Sequence, residues 1–139
     1  MAISFFNEQT SMPDIQKTVV RNWVKQVAAL HGKRLGEISY IFCNDEKILE
    51  VNRQFLQHDY YTDIITFDYT EGDKISGDLF ISLDTVRSNA EQFHQEYNKE
   101  LHRVIIHGIL HLCGINDKGP GEREIMEKNE DEALALLSL

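Results

Sequence analysis

The sequence predicts an α+β protein: a small mixed four-stranded sheet with about five helices, and a metal site on a buried helix and the loop that follows it. Three observations carry this. Short apolar stretches bounded by turn residues alternate with longer stretches of helical period. A turn signal, Glu71-Gly72-Asp73-Lys74, separates two of the short stretches and predicts an antiparallel hairpin. The segment from Val104 to Cys113 has little polar face yet carries His107 and His111, so the helix it forms is largely buried around two imidazoles.

Each element can be justified in order. Ile3 to Phe6 reads as a short opening strand. Ser11-Met-Pro-Asp14 is a capping start for an amphipathic helix to about His31, with Val19, Val20, Trp23, Val24, Val27 and Leu30 toward the core. Glu37 to Cys43 is the second strand; Asn44 then caps a helix over about Asp45 to Leu56 that buries Ile48, Val51 and Phe55. Asp63 to Tyr69 and Gly77 to Ser82 are the hairpin strands. Helices follow over about Asp84 to Tyr97 and Lys99 to Cys113, and a last one over Gly121 to Leu137. With 139 residues, 42% of them hydrophobic, and neither linker nor repeat, the chain suits a single domain over 1–139.

The chemistry concentrates in His107-Gly-Ile-Leu-His111-Leu-Cys-Gly114-Ile-Asn-Asp117. Residues four apart on an α-helix share a face, so both imidazoles leave the same side of one rod. Gly114 can take the left-handed conformation that ends a helix and lets Asp117 come back toward the same point. Three protein ligands, His107, His111 and Asp117, with a position left open is the pattern of a catalytic zinc site. Buried imidazoles need partners, and one cation satisfies both rings. Zinc proteases of the HExxH type place a glutamate base after the first histidine, where this chain has Gly108. Glycine inside a helix costs roughly 1 kcal/mol relative to alanine, so backbone, substrate or another element comes close there.

His107-Gly-Ile-Leu-His111-Leu-Cys-Gly114 resembles the HGxLHLxG signature of the YbeY family of bacterial metal-dependent endoribonucleases. Two further segments agree. Asn52-Arg-Gln-Phe55 with Asp59-Tyr-Tyr-Thr62-Asp63-Ile-Ile-Thr-Phe67 is similar to the family's N-x-x-Y-R-x-x-D-x-P-T-D-V-L-S-F stretch, and Gly77-Asp78-Leu-Phe-Ile-Ser82 matches its G-D-I-x-I-S strand. The motifs fall in family order across essentially the whole chain. The resemblance implies a zinc-dependent, single-strand-specific endoribonuclease of ribosomal RNA processing, acting in small-subunit 3′-end maturation and ribosome quality control.

Three departures stand out. The family's third ligand is a histidine where this chain has Asp117, which leaves a bound ion less positive overall. The family's arginine after N-x-x-Y falls on Leu56, which cannot hold phosphate; Arg53, Lys118 and Arg123 are the candidates to replace its charge. The proline of P-T-D is Tyr61, which bears on loop stiffness more than on chemistry.

Charge qualifies the reading. Fourteen Lys and Arg against 23 acids give a net charge of −9, so the isolated protein is expected to hold RNA weakly. A cation in the site supplies positive charge where phosphate would sit, and a ribosome, its small subunit or a protein partner can present the substrate. Two cysteines without a Cys-x-x-Cys, no signal peptide and no membrane span point to the cytoplasm. Cys113 reads as a small buried hydrophobe.

Of the other polar residues, His58 is the candidate base, and Asp59 and Asp63 are candidates to orient a ligand histidine. His31, His94 and His102 read as surface residues, and the acidic run Glu122 to Glu132 as a solvated helix face with Met126 inward. A small metalloprotease or amidase, and a ribosome-assembly factor with a structural zinc, remain the alternatives.

Overall fold

Apolar alternation along the central strands sets the architecture. Strand β1 (Ile3–Asn7) leads into helix α1 (Lys17–Leu30), strand β2 (Arg34–Cys43) and helix α2 (Asp45–Val51), whose end widens into a π-helical turn over Asn52–Leu56. Strands β3 (Ile64–Asp68) and β4 (Lys74–Ser82) precede helices α3 (Leu83–Gln92), α4 (Tyr97–Leu112) and α5 (Glu122–Ala135). The computed structural model describes residues 2–56 and 62–137.

The sheet order is β1-β2-β4-β3. β2 lies parallel to both β1 and β4, and β3 is antiparallel to β4, so the sheet is mixed as the sequence predicts. The inner strands β2 and β4 alternate inward residues: Ile38, Tyr40 and Phe42, then Leu79 and Ile81, all fully enclosed against α1 and α4. The opposite face carries a smaller cluster of Cys43 and Ile65 under Ile48 and Val51 of α2. Two buried polar contacts pin the helices. Tyr40 donates its hydroxyl to the Ile105 carbonyl at 2.9 Å, tying α4 to the sheet, and Trp23 Nε1 donates to the Ala133 carbonyl at 2.7 Å, tying α1 to α5.

Several local expectations shift. α1 begins at Lys17 rather than near Asp14, because Ile15 N donates to the Pro13 carbonyl in a turn before the helix. Leu30 is 67% exposed: it is the last residue of α1, where the helix ends clear of the core. Phe55 is also exposed, since the π-helical turn breaks the 3.6 period on which its burial was predicted; it packs edge-on against Phe67 instead. The helix expected to Tyr97 stops at Gln92, where His94 takes a left-handed conformation and turns the chain into α4. His102 is not a surface residue. It lies buried against Trp23, with Nδ1 donating to the Asn98 carbonyl at 2.7 Å.

Candidate metal centre

Helix α4 places the two histidines as their spacing requires. The His107 and His111 ring centroids lie 4.7 Å apart, both rings are partly accessible, and the helix behind them is apolar and buried. The helix then ends in a Schellman arrangement: Gly114, at φ 96°, donates to the His111 carbonyl, and Ile115 N donates to the Leu110 carbonyl. That reversal brings Asp117 back. Its carboxylate oxygens stand 3.3 Å from His107 Nε2 and 3.6 Å from His111 Nε2. The three donor atoms lie within 4.8 Å of one another, and two imidazole nitrogens with a carboxylate oxygen are a donor set zinc accepts, so these groups could hold a metal ion.

Electrostatics differ between the two rings. Burial alone would push the His107 imidazole down, but the Glu130 hydrogen bond and the charges of Glu130, Asp63 and Asp117 outweigh it and hold it above the ordinary histidine value. His111 is lowered by burial and by the charge of His107, which outweigh the opposing pull of Asp117.

The residue missed at the sequence level is Glu130. It is buried on α5, accepts from His107 Nδ1 at 2.6 Å through Oε2, and accepts from Arg103 Nη1 at 2.8 Å through Oε1. Arg103 Nη2 also donates to Asp131 at 2.7 Å. A proton held on Nδ1 toward Glu130 leaves Nε2 of His107 free as a donor atom, which is the carboxylate–histidine arrangement common around metals. The expected solvated face of the acidic run is therefore corrected at this position. A signal existed: Glu130 falls in the inward stripe of Met126, Glu130 and Ala133 at helical spacing.

Of the candidates near the site, Arg123 lines a cavity of about 560 Å³ together with His107, Asp117 and Asp63. Lys118 is exposed, next to Asp117, and its charge reaches His111. Arg53 is not brought into that cavity; it lines a separate depression on α2 and the π-helical turn. Burial raises the Asp63 carboxyl, while the charge of His107 draws it down. His58 and Asp59 lie outside the described residues. Cys113 is half-buried against the core, and burial pushes its thiol up to about 11, which suits an inert thiol better than a ligand. Gly108 explains why no HExxH base stands here: a Cβ would meet Ile64 Cδ1 at 2.9 Å and the Leu79 methyls at 3.2 Å, so a glutamate would be driven into apolar sheet. Among the described residues no helix is long and apolar enough to cross a membrane.

Comparison with known proteins places the whole chain in one family. A relative from Phocaeicola vulgatus named endoribonuclease YbeY is 77% identical over 137 residues, covering 99% of this chain and 99% of that protein. A relative of the same name from Parabacteroides distasonis is 74% identical, covering 99% of this chain and 96% of its own. The solution structure of TM1509 from Thermotoga maritima superposes with a TM-score of 0.67 at 26% identity, over 95% of this chain and 86% of that one. The family model described as endoribonuclease YbeY matches residues 3–138, the histidine helix and the returning aspartate included, and the chain belongs to that family.

Proposed function

We propose that this protein is a zinc-dependent endoribonuclease that cuts single-stranded RNA in ribosomal RNA processing, at the 3′ end of the small-subunit RNA and in ribosome quality control. Family membership supports the reaction class, and one observation carries it to this chain's residues: His107, His111 and Asp117 converge beside an open cavity. Zinc held by these three residues would supply Lewis acidity at the scissile phosphate.

The chain's own groups do the rest. Glu130 holds the His107 ring in the tautomer whose Nε2 faces Asp117 and His111. Arg123 at the cavity and Lys118 on the adjoining loop supply the positive charge that Leu56 cannot. His58 is the proposed proton acceptor, and an unchanged rate in His58→Ala would remove it from that role. Net charge −9 supports delivery of the RNA by the ribosome, its small subunit or a protein partner in the cytoplasm, rather than capture of free RNA.

The test is cleavage of precursor small-subunit RNA, free and in ribosomes, by zinc-loaded wild type and His111→Ala. Loss of cutting in the folded variant is expected; equal cutting by both would reject the reading. The product ends separate two chemistries: a 2′,3′-cyclic phosphate means attack by the RNA's own 2′-hydroxyl, and its absence means attack by water.

A further inference from the structure

Glu100 has no part in the site described above. It lies on α4 two helical turns before His107, is only 7% exposed, and lines the same cavity as His107 and Asp117. Carboxylates so far from bulk water normally have their oxygens hydrogen-bonded. Among the described residues, no group donates to this one; the Arg103 charge reaches it, but that guanidinium is engaged by Glu130 and Asp131. The fully enclosed side-chain polar atom lacking a partner among the described residues is His102 Nε2, so the Glu100 oxygens open into the cavity rather than being sealed in core.

The cavity's other features say what would meet them. Its volume of about 560 Å³ falls within the range of small-ligand sites. Its carboxylates outnumber its lysine and arginine side chains six to three, and Arg123, 77% exposed, stands toward solvent, so a phosphate is disfavoured inside it. A neutral group rich in hydrogen-bond donors fits better, with its phosphate left outside. Phe93, 52% exposed where α3 ends, also lines the cavity and offers an aromatic face. Bases of single strands stack on such faces and are read along their Watson–Crick edges.

We infer that this cavity is a nucleobase pocket beside the metal centre, in which Glu100 accepts hydrogen bonds from the Watson–Crick edge of guanine and Phe93 stacks on the ring. The inference deepens the endoribonuclease reading and rests on it. Two carboxylate oxygens match the adjacent N1–H and N2–H donors of guanine. Adenine and cytosine present one amino group each. Uracil presents one N–H between two carbonyl oxygens, which the carboxylate repels.

The experiment has two arms on the full-length, zinc-loaded protein. The first measures binding of guanosine and uridine 5′-monophosphates; the second measures cleavage of single-stranded RNAs differing only by G or U at one position near the cut. Guanine is expected to win by about tenfold in both. In Glu100→Gln, which keeps the side-chain volume, the ratio should fall to within about twofold, whereas Phe93→Ala should weaken both nucleotides and keep the ratio. Equal binding of the two nucleotides by wild type overturns the pocket whether or not the Glu100 variant folds, and so does an unchanged ratio in Glu100→Gln. Glu100-dependent guanine binding without RNA cleavage would leave the pocket standing and reject the endoribonuclease reading. Cleavage without base preference would do the reverse.

Discussion

Helices α4 and α5 both contribute to the candidate metal centre, and they do so from opposite kinds of sequence. α4 is buried on almost every side, with Val104, Ile105, Ile106, Ile109 and Leu110 in the core, so His107 and His111 stand out as partly accessible polar exceptions on its apolar C-terminal half. α5 is acidic and mostly exposed, burying Met126, Glu130 and Ala133 in a narrow stripe, so the one carboxylate that reaches His107 is hidden among others of its kind. The difference teaches that a ligand is conspicuous where its surroundings are chemically foreign to it. The residue that orients the ligand is not, when it sits in a run of like residues.

The largest expected effect tests whether α5 is as necessary to the site as α4. Glu130→Ala leaves His107 without its acceptor and Arg103 with Asp131 alone. Because Arg103 is partly exposed and still paired, the loss is expected at the low end for a broken buried pair, about 3 kcal/mol. Zinc affinity should fall about 10–100-fold as well, read by competition with a chromophoric chelator. Chemical denaturation checks the stability loss, and unchanged affinity in a folded variant would reduce Glu130 to packing.

Next in size is the α4 side. Gly108→Ala asks Ile64 and Leu79 to give way, so a loss of about 1–3 kcal/mol is expected by denaturant melts. A neutral result would show that the sheet yields there more readily than its 2.9 Å approach implies.

A smaller effect appears as pH dependence. Burial holds the His102 ring below the ordinary histidine value, against the opposing effect of its bond to Asn98. The unfolded chain therefore takes up a proton that the folded one refuses, and stability falls as pH drops below about 6.5. Between that value and the lowered folded one, the loss grows with acidity. His102→Phe should flatten this slope in melts across pH 5 to 7; an unchanged slope would assign the acid sensitivity to other groups.

Smallest of all, Glu132→Gln changes an exposed acid of α5, and its melting should match wild type within about 0.5 kcal/mol. Set beside Glu130→Ala, it separates the buried carboxylate from its exposed neighbours. A large loss in both would mean that α5 acts through its total charge.

Much of the site was legible without coordinates. The His107 and His111 spacing, the helix-ending Gly114 and the return of Asp117 are local geometry, and local geometry follows from backbone preferences over a few residues. The close approach at Gly108 was legible too, because glycine in a helix interior is unfavourable without a neighbour that needs the space. The burial of Phe55 and Leu30 was misjudged because helical period says which face a residue lies on, while the π-helical turn and the end of α1 decide where that face points.

By itself, then, the sequence determined which stretches form strands and helices and the three groups that could hold a metal, since each depends on residues within a few turns of each other. Tertiary structure decided the rest. Glu130 reaches His107 across 23 positions of chain, and Arg103 reaches Asp131 across 28. Arg53 went to its own depression while Glu100 and Phe93 met in one cavity, because helix packing rather than spacing sets which side chains share a space.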